Sequence, residues 1–294
     1  MSEKINILVT VNDKYIKPLQ VMLDSLFQHE HSPLDIYLIY SDISKKNLNL
    51  LNSYIQRLKG NFIPILLKHD FFQDAPIKNY FTKEMYYRIL CSELLPQTLE
   101  RVLYLDPDIL IRGSIRNIYT MDFNGKTIMG VPDTYEYIDS EGMRKRKKTL
   151  GLPKNHVYIS SGVLLFNLPK MRKNFILKDF LIDIEKNRAL LRYPDQDEIN
   201  IFFQKEIGTI DLIYNYPTLW KLFIHERKHN TIRKNPVIVH YTGSIKPWDL
   251  QYIGRYFFEY YRYLRKLQTK KEKRKMLLKP FICIIQAFKY IASF

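Results

Sequence analysis

Hydrophobic and polar positions alternate in a repeating order along the first hundred residues. Residues 5–11 (INILVTV) form a continuous apolar run that predicts a buried strand, and residues 15–28 follow with Leu19, Met22, Leu23 and Leu26 at helical spacing. The order then repeats, with a strand over 35–40, a helix over 44–58 that Ser44 would N-cap, and a strand over 62–67. A helix over 82–95, stopped by Pro96, leads into a strand over 102–105 that ends on Asp106-Pro107-Asp108. Strands alternating with helices predict an α/β domain built on a parallel sheet with helices on both faces.

The regularity then loosens. Residues 133–155 carry the basic run 144–148 (RKRKK) and no hydrophobic period, which predicts an exposed loop. A long apolar strand over 157–168 is interrupted by Ser160, Ser161 and Gly162. Helices are predicted over 170–186 and, behind Pro194, over 195–205, and a short buried strand over 237–240. With no repeat and no low-complexity linker before residue 255, residues 1–254 are read as one domain and 255–294 as a tail.

The 294 residues, 46% hydrophobic and 26% charged, suffice for a substantial core, which excludes a small disulfide scaffold, a disordered chain and a polytopic membrane protein. The two cysteines, Cys91 and Cys283, lie in apolar stretches and read as core residues of a reducing compartment. The apolar run near the N-terminus is too short for a secretory signal, so a cytoplasmic location is expected.

The net charge of +16 is unevenly spread: residues 255–294 carry +9 and residues 1–254 carry +7. The tail opens on an aromatic cluster, Tyr256, Phe257, Phe258, Tyr260, Tyr261 and Tyr263. Its last 14 residues are shorter than the roughly 20 needed to span a bilayer. On a helix, Phe281, Ile284, Ile285, Phe288 and Ile291 would share one face. Beside the cations, this pattern fits an anchor on an anionic membrane surface, while packing on the domain or in a dimer is the alternative.

Candidate chemistry is set partly by what is missing. No G-x-G fingerprint, phosphate-binding P-loop, G-x-S-x-G or H-E-x-x-H is present, which excludes the usual nucleotide-dependent and hydrolytic signatures. Asp106 and Asp108 end a buried strand, where open α/β sheets bind ligands, and alternate residues leaving a strand can aim two carboxylates at one hard cation. A solvated Asp-Pro turn is the alternative. A second such triplet occurs at 195–197. Further on, His240 closes a strand, Gly243 permits close backbone approach, and Lys246 supplies a cation. An imidazole added to two carboxylates suits Mn²⁺ better than Ca²⁺.

Four blocks in order, VLYLDPDILI (102–111), YISSGVLLFNL (158–168), YPDQDEIN (193–200) and HYTGSIKPW (240–248), give the chain a resemblance to the family 8 retaining glycosyltransferases. That group includes bacterial lipooligosaccharide and lipopolysaccharide sugar transferases and glycogenin. Residues 5–11 stand in the place of the family's first nucleotide-binding strand. The resemblance implies a Rossmann-like mixed sheet of the GT-A glycosyltransferase type with a C-terminal helical tail. It also implies a UDP-sugar donor held through Mn²⁺, or Mg²⁺ in its place, by Asp106, Asp108 and His240.

The further donor contacts it implies are Val11, Asn12 and Tyr15 at the uridine, Pro107 beside the metal, and Gly243 and Lys246 at the diphosphate. Arg88, Asp133, Ser160 and Asp195 would contact the donor. Gln196 would lie beneath the anomeric carbon, with Asp195 orienting the sugar hydroxyls. A carboxamide is a poor nucleophile, so a front-face substitution is favoured over a covalent intermediate. The expected activity is retaining transfer of galactose or glucose to a saccharide or lipid-linked saccharide acceptor of a surface glycan, on the inner face of the cytoplasmic membrane. An inactive nucleotide-sugar-binding protein and a basic nucleic-acid-binding protein are the alternatives. The intact acidic and amide set speaks against the first, and the tail-localised charge against the second.

Overall fold

The structure is a computed structural model that describes residues 4–78, 82–229, 235–252 and 254–277. Four parallel strands open it: β1 (Ile5–Thr10), β2 (Leu34–Tyr40), β3 (Asn61–Leu66) and β4 (Arg101–Leu105). Later come β5 (Ile109–Ile111), β6 (Ile128–Pro132), β7 (Ile159–Asn167), β8 (Ile207–Thr209), β9 (Tyr216–Pro217) and β10 (Ile238–His240). The large sheet runs β3-β2-β1-β4-β7-β6-β8, and β7 is antiparallel to both its neighbours. A small sheet, β5-β10-β9, stands beside it. The sheet is therefore mixed, as the family resemblance implies, and its uniformly parallel part ends at β4.

The apolar runs are continuous because both faces of the sheet are covered. β1 directs Ile5, Ile7 and Val9 into one core and Leu8 into the other. β4 likewise divides Leu103 and Leu105 from Val102 and Tyr104. Burying a Leu, Ile or Val side chain contributes about 1.5–3 kcal/mol, so these alternating positions hold the strand ends in register. Helices Ile16–His29 and Lys45–Arg57 form as expected, and the Ser44 hydroxyl caps the second by accepting from the Asn47 amide.

Three local expectations are corrected. The segment after residue 82 is a 3₁₀ helix over Lys83–Leu90 that becomes α only over Cys91–Leu94, because packing of buried Met85, Tyr86, Tyr87, Ile89 and Leu90 overrides helix period. The helix expected over 170–186 is two, Leu168–Asn174 and Leu177–Asn187, separated where Phe175 turns extended to join Phe180, Phe202 and Phe203 in an aromatic cluster. The basic run lies not in a loop but in the helix Ser140–Thr149, capped by Asp139 on the Gly142 amide. Ion pairs, Arg146 with Asp197 and Lys147 with Glu136, attach this helix beside a single buried apolar side chain, Met143, which packs with Leu150, Leu152 and Tyr158.

The aromatic opening of the 255–294 stretch is a packed element. Helix Phe257–Leu267 buries Tyr260, Tyr263 and Leu264 against Val21, Leu110, Val239 and Tyr241, and its Glu259 pairs with Arg112 at 2.6 Å. The apolar face from Phe281 to Ile291, and Cys283, lie outside the described residues. Cys91 is buried, as expected of a core thiol.

Glu198, on helix Pro194–Phe202, is fully buried against Asn187, and burial pushes its carboxyl up to about 8 from an ordinary 4.5. The folded state thus holds this proton more tightly than the unfolded chain does. Its stabilising contribution is complete below the unfolded pKa and is lost as pH rises through the folded one. The melting temperature of Glu198→Gln should accordingly fall less than that of the wild type between about pH 4.5 and about pH 8. Parallel thermal-melting profiles would reject the assignment.

Candidate active site

The chain passes from the large sheet to the small one through Asp106-Pro107-Asp108, and both ends of this switch are pinned. The Asp106 amide donates to the Gly162 carbonyl at 2.9 Å, extending the β4–β7 ladder. The Asp108 carbonyl accepts from the Tyr241 amide at 3.0 Å, joining the residue just past β10. The triplet is thus a strand crossover with fixed carboxylates, and the solvated-turn alternative fails because Asp108 is buried. A cleft of about 280 Å³ opens here. Every candidate site residue named from the sequence lines it, among them Val11, Asn12, Tyr15, Gly243 and Lys246.

Asp106, Asp108 and His240 each offer one ligand atom, and these atoms lie within 4.8 Å of one another. His240 Nε2 is 3.3 Å from Asp108 Oδ1 and 3.7 Å from Asp106 Oδ2. Two carboxylate oxygens and one imidazole nitrogen converging in this way form a donor set that suits a small divalent cation. The crowding is exact enough to require a glycine on β7. A Cβ at Gly162 would come within 2.3 Å of His240 Cε1 and 2.9 Å of Asp106 Oδ2.

Two buried cations balance the acids. Lys246 Nζ bonds the second Asp108 oxygen, and also donates to the Tyr241 carbonyl at 2.8 Å. Burial pushes the Asp108 carboxyl up, but Lys246 and His240 outweigh it and hold the group well below the usual carboxylate range. Arg88 is 4% exposed, and the Glu84 carboxylate four residues before it accepts from Asn12 Nδ2 at 3.3 Å. The Arg88 guanidinium lies 4.0 Å over the Tyr104 ring and bridges Asp106 at 3.3 Å and Asp195 at 3.4 Å. Burial nevertheless raises the Asp195 carboxyl above its ordinary value, with Arg88 opposing.

The second acidic triplet divides its labour. Pro194 starts its helix, which directs Asp195 and Gln196 into the cleft and Asp197 away from it. Gln196 Oε1 accepts from the Ser161 amide at 3.1 Å, while Nε2 donates to Asp133 Oδ2 at 3.1 Å and to the Tyr158 hydroxyl at 3.3 Å. Asp197, fully buried, accepts from the Tyr158 hydroxyl at 2.6 Å, from the Arg192 and Tyr193 amides, and from Arg146. The basic run therefore reaches the site through Asp197 and Tyr158.

On the opposite wall, Asn12 caps the short 3₁₀ turn Asp13–Tyr15, and the Tyr15 ring meets Trp248 edge-on at 6.0 Å. Gly243, at the cleft, has φ of 95°, a left-handed conformation that favours glycine. Sequence reasoning missed Tyr104, whose hydroxyl donates to Asp106 at 2.6 Å, and also Asn215, Tyr158 and Asp197. Tyr104, two residues before Asp106, Tyr158, which opens the block 158–168, and Asp197, which ends the second triplet, carried a signal; Asn215 carried none.

The profile described as glycosyl transferase family 8 matches residues 6–251. The chain belongs to this family. Among its relatives, glycosyltransferase GlyF of Streptococcus pneumoniae is 25% identical over 85% of this chain and 58% of its own length. The chain thus spans little more than half of that relative. The lipopolysaccharide 1,2-glucosyltransferase of Escherichia coli is 25% identical over 84% of this chain and 73% of its own. The crystal structure of galactosyltransferase LgtC with donor and acceptor sugar analogs superposes with a TM-score of 0.81 at 22% identity, covering 92% of this chain and 100% of that one. The family 8 sheet, with its antiparallel β7 beside β4, is thus the observed fold.

Gly162→Ala tests whether this crowding shapes the metal site. The variant should unfold cooperatively like the wild type but bind divalent cations about tenfold more weakly or worse, by titration calorimetry. Unchanged affinity would show that the ring and carboxylate tolerate the added methyl.

Proposed function

We propose that this family 8 protein transfers a hexose, galactose or glucose, from a UDP-sugar to a saccharide acceptor of a surface glycan or glycolipid, with retention at the anomeric carbon. The observation that carries the proposal is the meeting of Asp106, Asp108 and His240 with Lys246, Asp195 and Gln196 in one cleft. A Mn²⁺ ion held by the first three would neutralise the charge that develops on the diphosphate as the glycosidic bond breaks. Lys246 and the Gly243 amide supply further positive potential to the same diphosphate. Val11, Asn12 and Tyr15 take the uridine, with Tyr15 offering its ring to uracil.

Asp133, Ser160, Asp195 and Arg88 face the donor sugar, and the donor also passes Pro107. The acceptor hydroxyl gives its proton to the departing phosphate oxygen on the face from which it attacks. Gln196 lends its carbonyl dipole to the oxocarbenium-like centre. The Ser161, Asp133 and Tyr158 bonds hold that amide in one orientation, so little reorganisation accompanies the reaction. The lipopolysaccharide glucosyltransferase among the relatives supports an acceptor of the surface-glycan class.

For the tail, the reading is attachment to the anionic inner face of the cytoplasmic membrane. It is supported by the exposed Lys270, Lys271 and Arg274 on helix Lys270–Leu277, each basic residue near such a surface contributing about 1 kcal/mol. No helix among the described residues is long and apolar enough to cross a membrane.

Two experiments test these readings. With Mn²⁺ and a UDP-sugar, UDP release should be abolished by EDTA or by Asp108→Ala, while Gln196→Ala should slow it about a hundredfold and keep donor binding. Turnover indifferent to all three removes the mechanism. In co-sedimentation with vesicles containing anionic lipid, the full chain should pellet and a chain ending at Leu277, which keeps the docked helix, should pellet less. Equal pelleting removes the anchor from residues beyond 277.

A further inference from the structure

We infer that Asn215 is a positioning residue for the metal site, fixing the tautomer in which His240 presents the Nε2 lone pair to a divalent cation. The inference rests on the reading of His240 as a ligand. It starts from the ring's two nitrogens, which face different partners. Nε2 faces Asp106 and Asp108 at 3.7 and 3.3 Å, and Nδ1 lies 2.8 Å from Asn215 Oδ1. An amide oxygen only accepts, so this contact requires the proton on Nδ1, and in the neutral imidazole that leaves Nε2 as an acceptor.

The placement of Asn215 is over-determined by backbone. It stands between the 3₁₀ turn Leu212–Tyr214 and β9, and the segment is stapled to β10 on both sides. The Val237 amide donates to the Ile213 carbonyl at 2.8 Å, and the Thr218 amide to the His240 carbonyl at 3.1 Å. Asn215 is 4% exposed and His240 6%, so water does not compete for the bond. The imidazole is thereby held by Asn215 at Nδ1 and by Gly162 against Cε1, with Nε2 as its one nitrogen open to the two carboxylates. Metal-bound histidines generally donate their second N–H to such an acceptor, and removing it typically costs 10–100-fold in metal affinity.

The test uses the full-length protein and two variants. Asn215→Leu keeps the volume and removes the acceptor; Asn215→Asp keeps an acceptor. Mn²⁺ binding is read by electron paramagnetic resonance of the free ion. Asn215→Leu should weaken binding by about 10–100-fold, and Asn215→Asp should stay within a few-fold of the wild type. Independently of any variant, ¹⁵N NMR of the Mg²⁺-loaded wild type should find His240 protonated at Nδ1. Protonation at Nε2 in that state overturns the inference, as does Asn215→Leu binding Mn²⁺ like the wild type while Asp108→Ala abolishes binding. Wild-type binding that is absent, or indifferent to Asp108→Ala, overturns the metal reading and this inference with it.

Discussion

Burying like charges together is the constraint around which the site is built. Asp106, Asp108 and Asp195 converge in a cleft where water screens them poorly, and each would protonate or splay apart if left alone. Two buried cations prevent that. Lys246 neutralises Asp108, and Arg88 spans Asp106 and Asp195 from its seat on the Tyr104 ring. The elements that carry these cations, the 3₁₀ helix Lys83–Leu90 and the loop after β10, are far apart in sequence. Their arrival at one point sets the geometry of the rest.

That geometry depends on a change of sheet. β4 is the middle strand of the large sheet and β5 an edge strand of the small one, so the intervening triplet lies where the chain passes from one sheet to the other. Main-chain bonds to Gly162 and Tyr241 then fix both carboxylates without using their side chains. The carboxylates are left to Arg88, Lys246 and the Tyr104 hydroxyl. Gly162 serves the same end from β7, because only a residue without a Cβ lets the imidazole and the Asp106 carboxylate share that space.

The opposite wall is organised by hydrogen bonds. Asp197 gathers Arg146, Tyr158 and two backbone amides, and Tyr158 passes this order to the Gln196 amide. The basic helix Ser140–Thr149 thus contributes to the site indirectly, through a buried ion pair whose loss would leave Asp197 uncompensated. Some of the cations of residues 1–254 are structural, since Arg146, Lys147, Arg88 and Lys246 all answer buried or half-buried acids.

By itself the sequence determined the strand-helix alternation, the residues that end β1, β4 and β10, and the family, because these rest on local period and on contiguous motifs. Asp106-Pro107-Asp108 and the 240–248 block were readable since strand ends are where such folds keep their chemistry. Tertiary structure decided what local pattern cannot encode. The antiparallel return of β7, the winding of Lys83–Leu90 and the break at Phe175 follow from packing against distant partners. The basic run lies in a helix held by ion pairs to residues outside it and by one buried apolar residue, Met143, which is too little to give a hydrophobic period. Arg88 as a bridge and Asn215 as a partner of His240 were decided in the same way: each depends on one distance between residues that only folding brings together.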